Sequence, residues 1–326
     1  MWAYICRRIL YAVPILIGVN LLTFMLFFLV NSPDDMARAQ LGGKYVKDEA
    51  IEAWKANHGY DKPLFFNSGA DGLDKLTQTI FFQKSLRLFL FDFGISDDGR
   101  SISRDIKDRM WPSLAIALPT FVVGLMVNIT VAILIVMFRG AVFELIAVIG
   151  LVMLMSISGL FYIIVGQYVI SVLCHLAPIS GFGTGPADSW RFLILPVIIG
   201  VISGIGSGAR WYRTIFLEEI HKDYVRTARA KGLSEIRVFF RHVLKNAMLP
   251  ILTGVVVVIP LLFLGSLIME SFFGIPGLGS YTIEAIESQD FAIVRAMVFL
   301  GSVLYIAGLI LTDISYTRFD PRVRLS

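Results

Sequence analysis

The sequence predicts an all-α integral membrane protein with about six membrane-crossing helices. Three observations predict it. Hydrophobic residues make up 56% of the 326 and charged residues only 17%, with a mean hydropathy of +0.73, whereas a soluble domain is nearer half apolar and a quarter charged. The apolar residues gather into several runs of about 18 or more, long enough to cross a hydrocarbon core at about 1.5 Å rise per residue. Lysines and arginines also fall in alternate segments between those runs, the pattern that sets orientation in a membrane.

The first run, Ile9 to Val30, carries Pro14 near its start and Asn20 midway. Arg7 and Arg8 precede it, but the run outlasts a signal-peptide core and no small-x-small cleavage site follows. An uncleaved first span with a cytoplasmic N-terminus is expected. A polar region, 31–112, follows with lysines and aspartates in near balance. Within it Ile80 to Phe93 sets aromatics and leucines beside Lys84 and Arg87, a composition suited to lying along the membrane interface in a structural role. The second span covers Ser113 to Phe138 and stops at Arg139-Gly140.

Val142 to Ala177 exceeds one span yet holds no polar turn long enough to leave the membrane. Ser156-Ile157-Ser158-Gly159 is the place for a break. The segment counts as one crossing with an extension, two short crossings being the alternative. Pro178 to Ser189, with three glycines and two prolines, reads as a loop. The fourth span, Phe192 to Ser207, carries Gly200 and Gly204 with Gly208 just beyond, a small-xxx-small spacing that admits a neighbouring backbone. Plain packing is the simple role for them and a flexible gate the alternative. Arg210 to Lys245 is basic, helical in pattern and not membrane-like. The fifth span, Leu249 to Met269, has Pro250 at its start and Pro260 inside. Glu270 to Asp290 is an acidic loop in which an FGIPGLG turn cluster precedes an amphipathic helix, TIEAIESQ. Its bland role is a cap packed over helix ends. The sixth span is Val294 to Thr312, and the chain closes on a basic tail.

Six crossings place Arg7, Arg8, Arg139, the nine cations of 210–245 and Arg318, Arg322 and Arg324 on one side. The opposite short loops hold Arg191 and Arg295 against Asp188, Glu270, Glu284, Glu287 and Asp290. Cationic short loops resist translocation, so both termini are expected in the cytoplasm. Five crossings would break this asymmetry. The organisation that follows is 1–30 for the anchor and first span, 31–112 for an extracytoplasmic region, and 113–326 for the core. A cytoplasmic loop, 210–248, belongs to that core.

Several classes fit poorly. The positive charge forms no nucleic-acid face. Cys6 and Cys174 lie in or beside apolar runs, far from a disulfide framework, and His58, His175, His221 and His242 show no metal-binding spacing. An ion-coupled transporter usually carries ionisable groups within its spans, and here Glu144, Asp313 and His175 sit near span ends. Ser156, Ser158 and Ser171 lack a partner base, which disfavours an intramembrane enzyme; bonding to their own helix backbone is their expected role. No GxxxxGK[ST] phosphate loop occurs, and Gly42-Gly43-Lys44 lacks its spacing.

The segment from Asp223 to Pro250 is the most informative. Arg226 to Lys231 favours helix, Gly232 interrupts, and Ser234 can cap a second helix toward Lys245. This predicts two helices joined at a tight turn. A solvated basic hairpin is the simple reading of that composition. The segment resembles the cytoplasmic "EAA" loop of ABC-importer permeases of the dipeptide, oligopeptide and nickel family. Further similar pieces follow in order: YICRRILYAVPILIGVNLLTF near the N-terminus, DFGIS at Asp92–Ser96, LAPISGFG at Leu176–Gly183, WRFLILP at Trp190–Pro196, Glu270–Asp290, and DPRVR at Asp320–Arg324. The ordered set spans nearly the whole chain.

The resemblance implies a type I importer fold of the first-permease kind. It implies a heteromeric complex with a second, similar permease, two cytoplasmic ATPase subunits that hold ATP and magnesium, and an extracytoplasmic substrate-binding protein. No cofactor is expected on this chain, membrane lipid is its solvent, and short peptides are its expected cargo, with nickel chelates or oligosaccharides behind. Carried over as ATPase-coupling positions are Asp223, Tyr224, Val225, Arg226, Thr227, Ala228, Arg229, Ala230, Lys231, Gly232 and Leu233. Glu270, Phe273, Pro276, Gly277 and Gly279 are carried over as an extracytoplasmic gate or scoop. Arg226 stands where many importers have the motif's glutamate and Lys245 where their loop ends in proline, so the glutamate contact does not transfer.

Overall fold

The computed structural model describes residues 2–42, 46–183 and 185–319. Gly43-Lys44 and the terminal Asp320–Arg324 motif, with Arg322 and Arg324, lie outside the described residues. Among the described residues the chain is helical, its one β interaction an isolated antiparallel bridge between Ile95 and Ser101. Two compact units emerge, Met1–Met110 with Tyr281–Ala307, and Trp111–Ser280 with Gly308–Ser326.

The first unit opens with α1 (Trp2–Leu29). Most of its side chains are exposed apolar groups such as Leu10, Ile15, Leu22 and Leu26, as expected where lipid takes the place of water. Apart from Ala12, its buried residues fall between Asn20 and Phe28. There Phe24 and Phe28 join Met36, Ile51, Trp54, Tyr60 and Ile80 in one cluster. α2 (Pro33–Gln40) starts on a capping box: the Asp35 N–H donates to Ser32 Oγ at 3.2 Å and the Ser32 N–H to Asp35 Oδ2 at 3.2 Å. α3 (Asp48–His58) ends on Gly59 in the left-handed region, φ +67°. α4 (Asp74–Thr77), a π-helical turn, Phe81–Ser85, and a 3₁₀ turn, Leu86–Leu90, complete the polar region. In the segment assigned to the interface, Ile80, Ser85 and Leu88 are buried in protein.

α5 (Ile102–Met137) begins eleven residues before the expected start of the second span. Its first turns carry Arg104, Asp105, Lys107, Asp108 and Arg109, which a hydropathy reading rejects, yet Ile102 and Ile106 are buried at helical spacing. α6 (Val142–Ser156) and α7 (Gly159–Gly166), the latter extended by a π-helical turn Gln167–Leu173, bend by 90° between Ser156 and Gly159. The break falls where expected, and the Ser158 hydroxyl accepts the Phe161 N–H at 3.3 Å to cap the second half.

α8 (Pro186–Ile220) corrects two expected boundaries. The predicted loop to Ser189 stops at Gly185, and the predicted non-membrane stretch from Arg210 begins as a continuation of the fourth span. Ala209, Ile215 and Phe216 give the extension a buried face. α9 (Asp223–Ala230) and α10 (Glu235–Val238) follow. A π-helical turn, Phe239–Val243, then leads into α11 (Leu244–Val258), and a 3₁₀ turn, Ile259–Leu264, ends at Gly265. The fifth span is thus one helical run, Glu235–Leu264, and does not start at Leu249. Pro260 opens the tightened turn, because its ring removes an N–H from the ladder. α12 (Leu267–Phe273) and α13 (Leu278–Glu287) flank the Gly274–Gly277 turn, and α14 (Phe291–Phe319) holds the sixth span. Arg191 and Arg295, assigned to loops, lie within α8 and α14. Arg210, Arg213 and Arg295 therefore sit inside span helices that the sequence reading left nearly free of charge.

Among the described residues, five helices are long and apolar enough to cross a membrane, and the bent α6–α7 pair supplies a sixth when counted as one span.

Candidate functional site

The segment Asp223–Leu233 folds as the expected hairpin. α9 ends at Ala230 with Lys231 as its C-cap, and Gly232 turns the chain with φ +76°. Nothing lies within 4 Å of the place a Cβ would take there, so the demand for glycine is conformational. The Leu233 N–H returns to Ala228 O at 3.4 Å, and the Gly232 N–H to Arg229 O at 2.9 Å. Ser234 occupies the N-cap position of α10, but its side chain makes no capping bond. Instead Arg229 clamps the turn, its Nε and Nη2 donating to Glu235 Oε1 and Oε2 at 2.8 and 3.0 Å.

One face of the hairpin is buried. Val225, Ala228, Val238 and Phe239 share a cluster with Ala132 and Val136 of α5, Ile215 and Phe216 of α8, and Val243 and Ala247. Phe216 and Phe239 meet edge to face with centroids 5.4 Å apart. Tyr224 and Leu233 are half-buried against the same cluster. The Tyr224 hydroxyl donates to Glu219, and burial together with that carboxylate pushes its phenol up to about 12. Arg139 donates to His221 Nε2 at 3.0 Å while His221 Nδ1 lies 2.6 Å from Leu217 O, so the Nδ1–H tautomer satisfies both contacts. Asp223, Arg226, Thr227, Arg229, Ala230, Lys231 and Gly232 make the exposed face. The hairpin packs on three span helices, α5, α8 and α11, and carries a basic outer edge.

A cavity of about 520 Å³ opens between α5 and α8, lined by Thr120, Phe121, Asn128, Gly204, Gly208 and Trp211 among others. A second, of about 340 Å³, shares Thr120, Phe121 and Gly200 and reaches Leu262 and Glu270. A Cβ on Gly200 would come within 2.7 Å of Thr120 Cγ2, and one on Gly208 within 2.6 Å of Asn128 Cγ, whereas Gly204 faces open space. Two of the three spaced glycines therefore serve close packing and the third faces the cavity. Gly206, on another side of α8, packs against Leu151 and Met155 of α6. The buried Asn128 Oδ1 has no hydrogen-bond partner among the described residues. Sequence reasoning passed over Asn128, although an amide in an apolar run is a signal.

Of the residues assigned to a gate, Gly277 and Gly279 meet the buried carboxylate of Glu270. Glu270 is 1% exposed. Its Oε2 accepts the N–H groups of Gly279 and Ser280 at 2.6 and 3.0 Å, and its Oε1 that of Ser266 at 3.1 Å. The first two donors belong to the first turn of α13, where a carboxylate also meets the favourable end of the helix dipole. Burial pushes the Glu270 carboxyl above its usual range, while the Ser113 hydroxyl and these N–H groups pull against it. A Cβ on Gly277 would sit 2.5 Å from both Glu270 Cδ and Ser113 Oγ, and one on Gly279 2.6 Å from Ser266 C. Phe273 is buried among Ile116, Ile163, Leu195 and Ile199. Pro276 alone of the five is exposed.

The family of binding-protein-dependent transport system inner membrane components matches residues 109–325, and its N-terminal domain matches residues 1–70. The chain belongs to this family of permeases. Named relatives align with the permease from end to end. A protein named as a peptide transport system permease from Brucella abortus strain 2308 is 33% identical over 330 residues, covering 99% of each chain. The glutathione transport system permease of Escherichia coli K12 is 27% identical over 325 residues, again covering 99% of each. The corresponding glutathione permease of Shigella flexneri is 28% identical over 327 residues. The permease is thus a multi-pass inner-membrane component of a binding-protein-dependent ABC transporter.

Proposed function

We propose that this permease forms half of a translocation path for short peptides and is driven by ATP hydrolysed on partner subunits. Its companions are a second, homologous permease, two cytoplasmic ATPase subunits carrying ATP and magnesium, and an extracytoplasmic binding protein that delivers cargo. Both sets of relatives support the cargo, since glutathione is itself a tripeptide. The termini and the Asp223–Leu233 hairpin are cytoplasmic in this arrangement, and residues 31–112 and the Glu270–Gly279 turn face the other side.

The observation that carries the reading is the two-faced hairpin. Its inner face is welded to α5, α8 and α11, and its outer face presents Arg226 and Lys231 to a partner. ATP binding closes the ATPase pair and pulls on this outer face. Because the inner face cannot slide independently of the spans, the pull becomes a tilt of α5 and α8. The cavity lined by Asn128, Gly204 and Trp211 then opens to receive substrate, and hydrolysis reverses the motion. The turn around Glu270 and Pro276 moves as the opposite gate.

The test is co-purification followed by uptake. The tagged permease should bring two ATPase subunits and a second permease with it. The assembly in vesicles should import labelled di- to hexapeptides only with ATP and the binding protein. Uptake by the permease alone would overturn the reading.

A further inference from the structure

The unit formed by Met1–Met110 and Tyr281–Ala307 holds a cavity of about 580 Å³ that the proposed transport path does not use. Its wall includes Lys84, Arg87, Arg295, His58 and Asp97. Arg295 is 5% exposed, and its Nε and Nη1 have no hydrogen-bond partner among the described residues. Its guanidinium stacks over Phe28 at 5.3 Å, which positions the charge without neutralising it. The Lys84 ammonium lies 5.2 Å from the Tyr60 ring centroid and forms no ion pair among the described residues. Burial, with Arg295 nearby, holds Lys84 below the usual lysine range.

The neighbouring carboxylates are already committed. Asp290 accepts the Asp97 N–H at 2.8 Å and the Ile293 N–H at 3.1 Å. Asp97 accepts from Gln40 and lies 3.7 Å from His58 Nε2. Arg87 is turned to Asp92 at 3.8 Å. Half-buried Lys84 and buried Arg295 remain as two cations on one wall; Asp97, and for Arg295 also Asp290, act on them only through space, and neither forms an ion pair among the described residues. A buried unpaired guanidinium is costly, and a site that supplies its partner from outside relieves that cost.

We propose that this cavity binds the carboxylate of a small solute, an amino acid or short peptide, between Lys84 and Arg295. The peptide reading of the previous subsection enters only in the choice of solute. A doubly charged anion is disfavoured because Asp97 lies on the same wall, whereas a single carboxylate matches the bidentate geometry of a guanidinium. The volume falls within the range of small-ligand pockets, about 300–1,000 Å³.

The test uses the full-length permease in lipid nanodiscs and labelled dialanine in equilibrium dialysis. Saturable binding is expected, displaced by unlabelled dialanine but not by an equal concentration of dialanine amide or inorganic phosphate. Lys84→Met and Arg295→Gln should each weaken it at least tenfold. Should Arg295→Gln fail to fold, Lys84→Met, at the cavity wall, carries the test by itself. Absence of saturable binding, retained binding in Lys84→Met, or displacement by phosphate as readily as by dialanine would each overturn the proposal. ATP-dependent peptide uptake by the assembled importer, measured alongside, separates failure of this site from failure of the transport reading.

Discussion

At the scale of single residues, two charged groups do unlike work. Glu270 is fully enclosed and is the sole side-chain acceptor for three backbone N–H groups. Glu270→Gln replaces an oxygen that accepts with a group that also donates, so at least one N–H loses its partner. The expected cost is about 1–3 kcal/mol, read as a lowered unfolding midpoint of the detergent-purified permease. Arg229 by contrast is exposed, and so is Glu235. Their paired bonds lie in water, where such contacts contribute under about 1 kcal/mol. A double-mutant cycle on Arg229→Ala and Glu235→Ala should return a coupling within that limit. Phe239→Ala, in the buried face of the same hairpin, should cost about 3–5 kcal/mol. A coupling energy larger than the Phe239 loss would mean that the hairpin is held from outside.

At the scale of elements, the contact of α5 with α8 sets what the cavity can tolerate. Gly208→Leu drives a side chain into Asn128 and should destabilise the permease by about 1–3 kcal/mol. Gly204→Leu meets open space; it should leave the unfolding midpoint unchanged while narrowing the cavity and slowing uptake. Equal uptake in Gly204→Leu and the parent would remove this cavity from the path. Much of this architecture was legible in the sequence, because apolar runs of span length, the Ser156–Gly159 break and the Gly232 turn each carry a local signal. The misplaced boundaries share one cause. The early start of α5, the long end of α8 and the continuation of Glu235 into the fifth span are amphipathic helices continuous with apolar ones. Hydropathy stops at the first charges, whereas the backbone ladder does not. The Glu270 carboxylate was singled out in sequence as a gate residue. Its partners were legible only in part: Ser266 lies four residues before it, but Ser113 and the N–H groups of Gly279 and Ser280 meet it only through the folding of the chain. Arg295 was assigned to a loop for the same reason: a lone cation beside Asp290 reads as polar until its burial is known.

At the scale of the whole molecule, the proposed division of the hairpin into a welded face and a presented face makes a separable prediction. Arg226 is exposed, its nearest ion pair a 3.6 Å contact with Asp223 one turn away, and Lys231 is exposed at the end of α9. Reversing both charges removes nothing from the buried cluster, so stability should change by no more than about 0.5 kcal/mol. If a partner grips the outer face, the same change places like charges where opposite ones met. Such juxtaposition costs several kcal/mol at an interface. The Arg226→Glu, Lys231→Glu variant should therefore fold with an unaltered midpoint and insert normally. Peptide uptake should fall at least tenfold, with ATPase activity in the assembly either lost with the partner or continuing unlinked to transport. A conservative Arg226→Lys change should restore uptake to near the parental rate. Full uptake in the reversed variant would mean that force enters the spans elsewhere, and the exposed ends of α5 and α8 beside Arg139 and His221 would become the surface to test.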